Sequence, residues 1–334
     1  MFNYRAQAVL QQANDEQTKE AKKMKIFNSL DEIRGIEPTV TALGNFDGVH
    51  MGHQRIIERT VKSAEAAGLK SAVFTFSNHT STLLKNIPPV KNILYPEEKA
   101  AIIENMGVDY MFSIPFTMDI LTMSPEDFVK NLLVDKFRLR EAYCGFNYSF
   151  GYKAKGTPEI LMHEGLKHGF GIHVQEPYII DGIVVSSTYI RQLIAEGRME
   201  ECTKFMGRMY SIGGTVVVGN KLGRTIGFPT SNIMLDETMA APPNGVYITY
   251  CIYNGVTYPS ITNVGVKPTI GTYSKNIETH IFNFDKELYG KDIRVKFVKR
   301  TREEKKFESI EALSKQIQSD CIMAKAYHRE RGNL

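Results

Sequence analysis

The chain has 334 residues, 43% of them hydrophobic and 23% charged, with a net charge of +4 at pH 7, a soluble globular composition with room for two cores. Its Lys and Arg residues are spread rather than clustered, which argues against a nucleic-acid partner, and no apolar run reaches membrane-spanning length or forms the core of a signal peptide. Four cysteines, Cys144, Cys202, Cys251 and Cys321, show no paired spacing, which excludes a disulfide framework and a thiolate zinc site and leads us to expect a cytoplasmic protein.

Residues 1–23 are rich in Gln, Glu, Lys and Ala and are expected as a polar extension outside the core, with the first domain starting near Met24. Thr39 to Leu43 is a β-prone run, and residues 52–68 carry Ile56, Ile57, Val61 and Ala64 at the helical period. Between them lies Gly44-Asn-Phe-Asp-Gly-Val-His-Met-Gly-His53. A helix start leaves backbone N–H groups unpaired and carries partial positive charge, so this strand-to-helix turn suits phosphate oxygens. Gly44 and Gly48 let backbone approach a ligand closely. His50 and His53 can address one anion as donors, although H-x-x-H alone is more often a tight turn that happens to hold histidines.

Strand and helix patterns then take turns. Residues 71–76 read as a strand, Pro96-Glu-Glu opens a helix, 109–114 read as a strand, and Ser124 caps a helix that begins at Pro125 and runs toward Phe137. Residues 142–146 follow as a strand, Thr157-Pro-Glu opens another helix, and 171–175 form one more strand. Such alternation predicts a parallel sheet with helices on both faces and ligands beyond the carboxyl ends of its strands. Gly145-Phe-Asn-Tyr-Ser-Phe-Gly151, with Asn147, is either a nucleotide-contacting loop or a surface turn. Ser186-Ser-Thr-Tyr-Ile-Arg191 offers hydroxyls and an arginine at a helix start, as a phosphate cradle or as an N-cap.

Near Arg208 the pattern changes to short β-prone runs at 212–218, 245–253, 277–284 and 293–298, which predict an antiparallel sheet or barrel. Asn254-Gly255 is a hairpin signal, and Ile310, Leu313, Ile317 and Cys321 mark a terminal helix. Gly219-Asn-Lys-Leu-Gly-Arg-Thr-Ile-Gly-Phe-Pro-Thr-Ser-Asn232 lacks the Gly-Lys-Ser/Thr ending of a P-loop. Gly219, Gly223 and Gly227 could cover phosphates with Arg224 as countercharge, and Thr230 and Asn232 could turn neutral oxygens to one Mg²⁺; a Gly-rich hairpin is the alternative.

The turn at 41–53 resembles the G-x-F-D-x-x-H-x-G-H signature of nucleotidylyltransferases. With the 145–151 loop and the Ser186 to Arg191 run it resembles the adenylyltransferase half of bacterial bifunctional riboflavin kinase/FAD synthetases. Gly219 to Asn232 resembles the G-R-x-x-G-F-P-T-A-N motif of riboflavin kinases, with Ser231 in place of alanine, and Asn263 to Thr269, Ile277 to His280, Leu288 to Gly290 and Arg302 to Phe307 follow in the family's order. The resemblance implies an α/β protein: a Rossmann-like FMN adenylyltransferase domain at 24–206, then an antiparallel β-barrel riboflavin kinase domain with a terminal helix at 207–334. It implies that ATP phosphorylates riboflavin to FMN, leaving ADP, and that a second ATP adenylylates FMN to FAD with release of pyrophosphate, both with Mg²⁺.

By the same resemblance Gly44, Phe46, Asp47, His50, Gly52, His53, Asn147, Ser186, Ser187, Thr188 and Arg191 bind ATP in the first domain, with His50 and His53 catalytic. Gly219, Lys221, Gly223, Arg224, Gly227, Pro229, Thr230 and Asn232 bind ATP in the second, Thr230 and Asn232 also holding the metal. Asn263, Lys267 and Arg302 contact the flavin, and Glu278 is the general base. The family's F-D-P-H-P run stands here as Phe76-Ser-Asn-His-Thr80, keeping His79, and Asn283 replaces a common aspartate. The rival readings are a nucleotidylyltransferase with another phosphorylated acceptor and a non-catalytic flavin-binding regulator. Oligomeric state does not follow from the sequence.

Overall fold

Six short strands, each dominated by β-branched, aromatic or small residues, build the first sheet: β1 (Lys25–Phe27), β2 (Thr39–Leu43), β3 (Lys70–Phe76), β4 (Tyr110–Ile114), β5 (Leu139–Gly145) and β6 (Gly171–Gln175). The computed structural model describes residues 23–78, 90–219, 222–269, 272–332 and 334. It divides into two compact units, Met1–Pro88 with Pro96–Pro177, and Pro89–Tyr95 with Tyr178–Leu334. The strands of the first unit pair in the order β1-β4-β3-β2-β5-β6, all parallel. Every residue of β2 is buried, as a central parallel strand covered on both faces must be. Its two threonines meet the cost of burial by bonding each other at 2.9 Å, with Thr39 also donating to Phe137 O at 2.7 Å.

Helices α1 (Met51–Ala67), α2 (Pro96–Asn105), α3 (Met118–Thr122), α4 (Pro125–Asp127, continuing as a π-helix over Phe128–Lys136) and α5 (Pro158–His168) connect these strands. The capping expected at Ser124 is present, its hydroxyl accepting from Asp127 N at 3.0 Å, with Pro125 in the first turn. The π-helical continuation carries no sequence signal, and it turns Phe128, Val129, Leu132 and Leu133 inward together. The core they join is aromatic, Phe112 stacking on Phe137 at 4.2 Å. From β2 the chain lays β3 and β4 to one side and β5 and β6 to the other. The strand order therefore reverses between β2 and β5, whose carboxyl ends form the expected ligand edge.

The second unit begins with a small hairpin, β7 (Ile179–Ile180) and β8 (Ile183–Val184), followed by α6 (Ser187–Glu196) and α7 (Met199–Met206). Then come β9 (Ser211–Thr215), the short α8 (Leu222–Thr225), β10 (Ser231–Met234), β11 (Gly245–Tyr253), β12 (Val256–Thr269), β13 (Thr272–Ile281), β14 (Asp292–Glu303) and α9 (Ile310–Arg329). The strands pair antiparallel in the order β10-β13-β12-β11-β14-β9. A bridge from Val217 to Asn232, with N···O 2.8 Å, draws the two edges together into a near-barrel. Asn254 and Gly255 make the predicted hairpin, with φ of 50° and 76°.

Strand alternation gives this sheet two different faces. One carries Tyr247 and Phe297, whose ring centroids lie 5.3 Å apart, and a ladder of buried hydroxyls. Thr249 bonds Ser260 and Thr262, each at 2.8 Å, and Thr262 bonds Thr279 at 2.9 Å. The other face carries Val246, Ile248, Ile261 and Phe282, covered by Cys321 and Ala324 of α9. Helices α6 and α7, assigned by sequence to the first domain, cluster with the barrel. So does the segment Pro89–Tyr95, in which Asn92 pairs with Met239 and bonds Thr238 O at 2.8 Å.

Candidate active sites

In the first unit the histidine turn lies where β2 ends and α1 begins. His50 is the N-cap of α1: its Nδ1 accepts the backbone N–H of His53 at 3.2 Å. An imidazole whose Nδ1 accepts a hydrogen bond carries its proton on Nε2, which makes that nitrogen a donor, as an anion requires. The two rings stack at 3.6 Å with 15° between planes, and the edge of Phe46 supports His53 at 5.1 Å. Phe46 itself is fully buried; it props the histidine pair from beneath. A Cβ on Gly44 would stand 3.2 Å from the Phe46 ring, tighter than ordinary packing. Phe46, Gly48 and Val49 all have positive φ, 48°, 81° and 34°, and for a β-branched valine that is strain of the kind retained at ligand sites. Val49 N bonds Phe46 O at 3.1 Å and Gln54 Nε2 bonds Val49 O at 2.8 Å, which hold it.

Sequence reasoning missed Lys99. Its Nζ reaches Thr75 Oγ1 at 3.1 Å and the carbonyls of Asn45 and Phe76 at 3.4 Å, tying the histidine turn to the end of β3. Burial pushes its ammonium down from 10.5 to about 8, and the charge of Asp47 opposes that fall. Glu97-Glu98-Lys99 reads as an ordinary polar first turn, and only the fold brings the amine to the ligand edge. Asn147 lies in the loop after β5, on the strand beside β2; a Cβ on Gly145 would stand 3.3 Å from its Oδ1. The first-unit candidates at 44–53 and 147 thus share one sheet edge. Ser186, Ser187, Thr188 and Arg191 belong to the second unit. There Ser186 is the N-cap of α6, accepting from Tyr189 N at 3.2 Å, and Arg191 Nε donates to Lys91 O at 2.7 Å.

The second constellation is written in strand register. Asn232 on β10 pairs with Glu278 on β13, Glu278 with Asn263 on β12, Asn263 with Val246 on β11, and Val246 with Arg302 on β14. Directly opposed residues share a face, so four of the expected residues stand in one row across the sheet. Asn232 Nδ2 donates to Thr230 Oγ1 at 3.3 Å. Asn276, two residues from Glu278 and on its face, donates to Asn232 Oδ1 at 3.0 Å and to Glu278 Oε1 at 2.7 Å. The period of two was the available signal for Asn276, and sequence reasoning passed it by.

The glycines before this row are sterically required: a Cβ on Gly219 would stand 2.8 Å from the Asn232 amide, and one on Gly223 would stand 2.4 Å from Phe228 O. His280 Nδ1 bonds Pro229 O at 2.8 Å, fixing the loop that carries Thr230, and burial pushes the His280 imidazole below its usual range. Arg224 is exposed and lies 3.8 Å from Glu287. Arg302 is tied to α9: Nε and Nη2 donate to Asp320 Oδ2 at 3.0 and 2.8 Å, and Nη1 donates to Glu303 O. Lys221 and His79 lie outside the described residues, as does the side chain of Lys267. Among the described residues no group of three His, Cys, Asp or Glu could hold a metal ion. The hydroxyl and amide oxygens of Thr230 and Asn232, beside a carboxylate, are instead the hard donors that Mg²⁺ takes.

A family profile described as FAD synthetase matches residues 33–189, and one described as riboflavin kinase matches residues 206–328. The bifunctional riboflavin kinase/FMN adenylyltransferase of Bacillus subtilis (strain 168) is 36% identical over 288 residues, covering 84% of this chain and 90% of that one. Its namesake in Listeria monocytogenes is 37% identical over 286 residues, with the same coverage of 84% and 90%. A crystal structure described as a macrolide-efflux protein from Streptococcus pneumoniae superposes with a TM-score of 0.83 at 28% identity, covering 90% of this chain and 98% of that one. No described helix of the present chain is long and apolar enough to cross a membrane. Both halves match in order, and relatives above 30% identity span most of the length, so the chain belongs to the bifunctional riboflavin kinase/FMN adenylyltransferase family.

Proposed function

We propose that this protein performs both reactions: it phosphorylates riboflavin to FMN with ATP, leaving ADP, and adenylylates FMN to FAD with a second ATP, releasing pyrophosphate. The observation that carries the kinase assignment is the row Asn232, Glu278 and Asn263, with Thr230 beside it. Glu278 takes the proton of the riboflavin 5′-hydroxyl as that oxygen attacks the γ-phosphorus of ATP and ADP leaves. Thr230 and Asn232 would hold Mg²⁺, which when bound neutralises charge on the ATP phosphates. Gly219 and Gly223 keep the backbone close to those phosphates, with Lys221 and Arg224 as countercharges and Asn263 and Lys267 toward the flavin.

In the first unit the FMN phosphate attacks the α-phosphorus of ATP. The imidazole donors of His50 and His53 and the start of α1 stabilise the charge that develops, with no covalent enzyme intermediate. The N-cap bond that fixes the His50 ring supports this role, because it holds the ring in the tautomer whose Nε2 is a donor before reaction begins. The site of action is the cytoplasm.

Incubating the protein with riboflavin, ATP and MgCl₂ and separating the flavins over time tests the reading. FMN should appear first and FAD after it. FAD from supplied FMN without any FMN from riboflavin would reduce the protein to an adenylyltransferase; flavin retention without turnover would make it a binding regulator.

A further inference from the structure

Asn276 sits on β13 with 2% of its surface exposed, between the two groups that the kinase reading places in different roles. Its amide nitrogen has two hydrogens and spends one on each: Asn232 Oδ1 at 3.0 Å and Glu278 Oε1 at 2.7 Å. Asn232 in turn donates to Thr230 Oγ1 at 3.3 Å. The four side chains form one directed chain of hydrogen bonds across β10 and β13. The opposite assignment of the Asn276 amide would set its oxygen against two acceptors, Asn232 Oδ1 and Glu278 Oε1, so the donor direction is fixed by its neighbours. Asn276 Oδ1 is itself buried with no hydrogen-bond partner among the described residues, a cost that a purely structural amide has no reason to carry.

We infer that Asn276 is a positioning residue of the kinase site: its one amide holds the carboxylate of Glu278 and the amide oxygen of Asn232 in fixed register, coupling the placement of the base to that of the metal-holding side chain. This rests on the roles proposed for Glu278 and Asn232, and it adds a residue that touches neither substrate nor metal. Removing such an outer partner costs on the order of 10–100-fold in metal affinity or activity. The flavin-facing contacts stay in place, so the loss falls on turnover and on Mg²⁺ demand.

The test uses the full chain with Asn276→Leu, close in volume but without donors, and Asn276→Asp, isosteric but presenting a carboxylate to both partners. Riboflavin phosphorylation is measured against riboflavin, ATP and MgCl₂, with FAD formation from supplied FMN as the control for folding. For Asn276→Leu, kcat should fall about 10–100-fold and half-saturating MgCl₂ should rise about tenfold, while the riboflavin KM and the FAD control stay within about twofold of wild type. Asn276→Asp should lose at least as much. Wild-type kcat and MgCl₂ demand in either variant overturn the inference, as does a parallel loss of the FAD control. Glu278→Gln, run alongside, separates the two levels: if it keeps its turnover the base reading fails, and a raised MgCl₂ demand in Asn276→Leu still supports the link to Asn232.

Discussion

At the scale of single residues, the first site depends on a donor placed by its own neighbour. His53→Ala removes one donor from the stacked pair and should cut FAD formation about 100–1000-fold while FMN still accumulates from riboflavin. Time courses of both flavins check this; normal FAD synthesis by the variant would end the assignment. Lys99 is testable through linkage. Its folded-state value of about 8 lies below the usual 10.5, so between those pH values the unfolded chain binds more protons than the folded one. Stability of the wild type should therefore rise with pH relative to Lys99→Met, by up to about 1.4 kcal/mol per pH unit across that window. Paired thermal melts from pH 7 to 10 measure it, and a constant difference would contradict the burial of the amine. The histidine turn was legible as a strand-to-helix junction, because a β-prone run precedes it and the helical period follows. Lys99 was not, since it acquires its meaning from Asn45, a partner distant in sequence; the period of two could have put Asn276 on the face of Glu278, but not its bond to the distant Asn232.

Among elements, strands β2 to β6 of the parallel sheet and the caps at Ser124, Thr157 and Ser186 were readable from local chemistry. The π-helical turn at Phe128–Lys136 and the strand Val256–Thr269 were not, because tertiary pairing rather than local period decides them. The terminal helix α9 was visible as an apolar stripe, but not its polar fastening. Asp320 is 4% exposed, takes two bonds from Arg302, and accepts from Gln316 at 2.9 Å. Asp320→Ala leaves a guanidinium uncompensated and should destabilise the protein by roughly 3–5 kcal/mol. A denaturant midpoint unchanged from wild type would leave Arg302 available to the flavin, as the family resemblance implies. The domain boundary is a second element-scale question. A fragment from Tyr178 keeps Ile190, Leu193, Cys202 and Phe205, all buried, whereas one from Met206 loses them. We expect both fragments to phosphorylate riboflavin and the longer one to melt higher; equal melting temperatures would place the structural boundary near Arg208.

Across the whole molecule, the proposed chemistries fall to different units. The histidine turn at the switch point of the parallel sheet belongs to the first compact unit, and the row through Glu278 to the second. Each step is a phosphorus–oxygen bond exchange that needs positioning and charge stabilisation more than covalent help. They draw on different residues, so damage to one should leave the other intact. The most direct measurement is made on full-length Glu278→Gln, with riboflavin and then FMN supplied in separate assays and ATP–Mg²⁺ titrated into each. FMN formation should fall on the order of a hundredfold or more at saturating nucleotide, with ATP–Mg²⁺ binding near wild type and FAD made from FMN at the wild-type rate. Riboflavin turnover preserved at saturation, or loss of both activities together, would contradict this assignment.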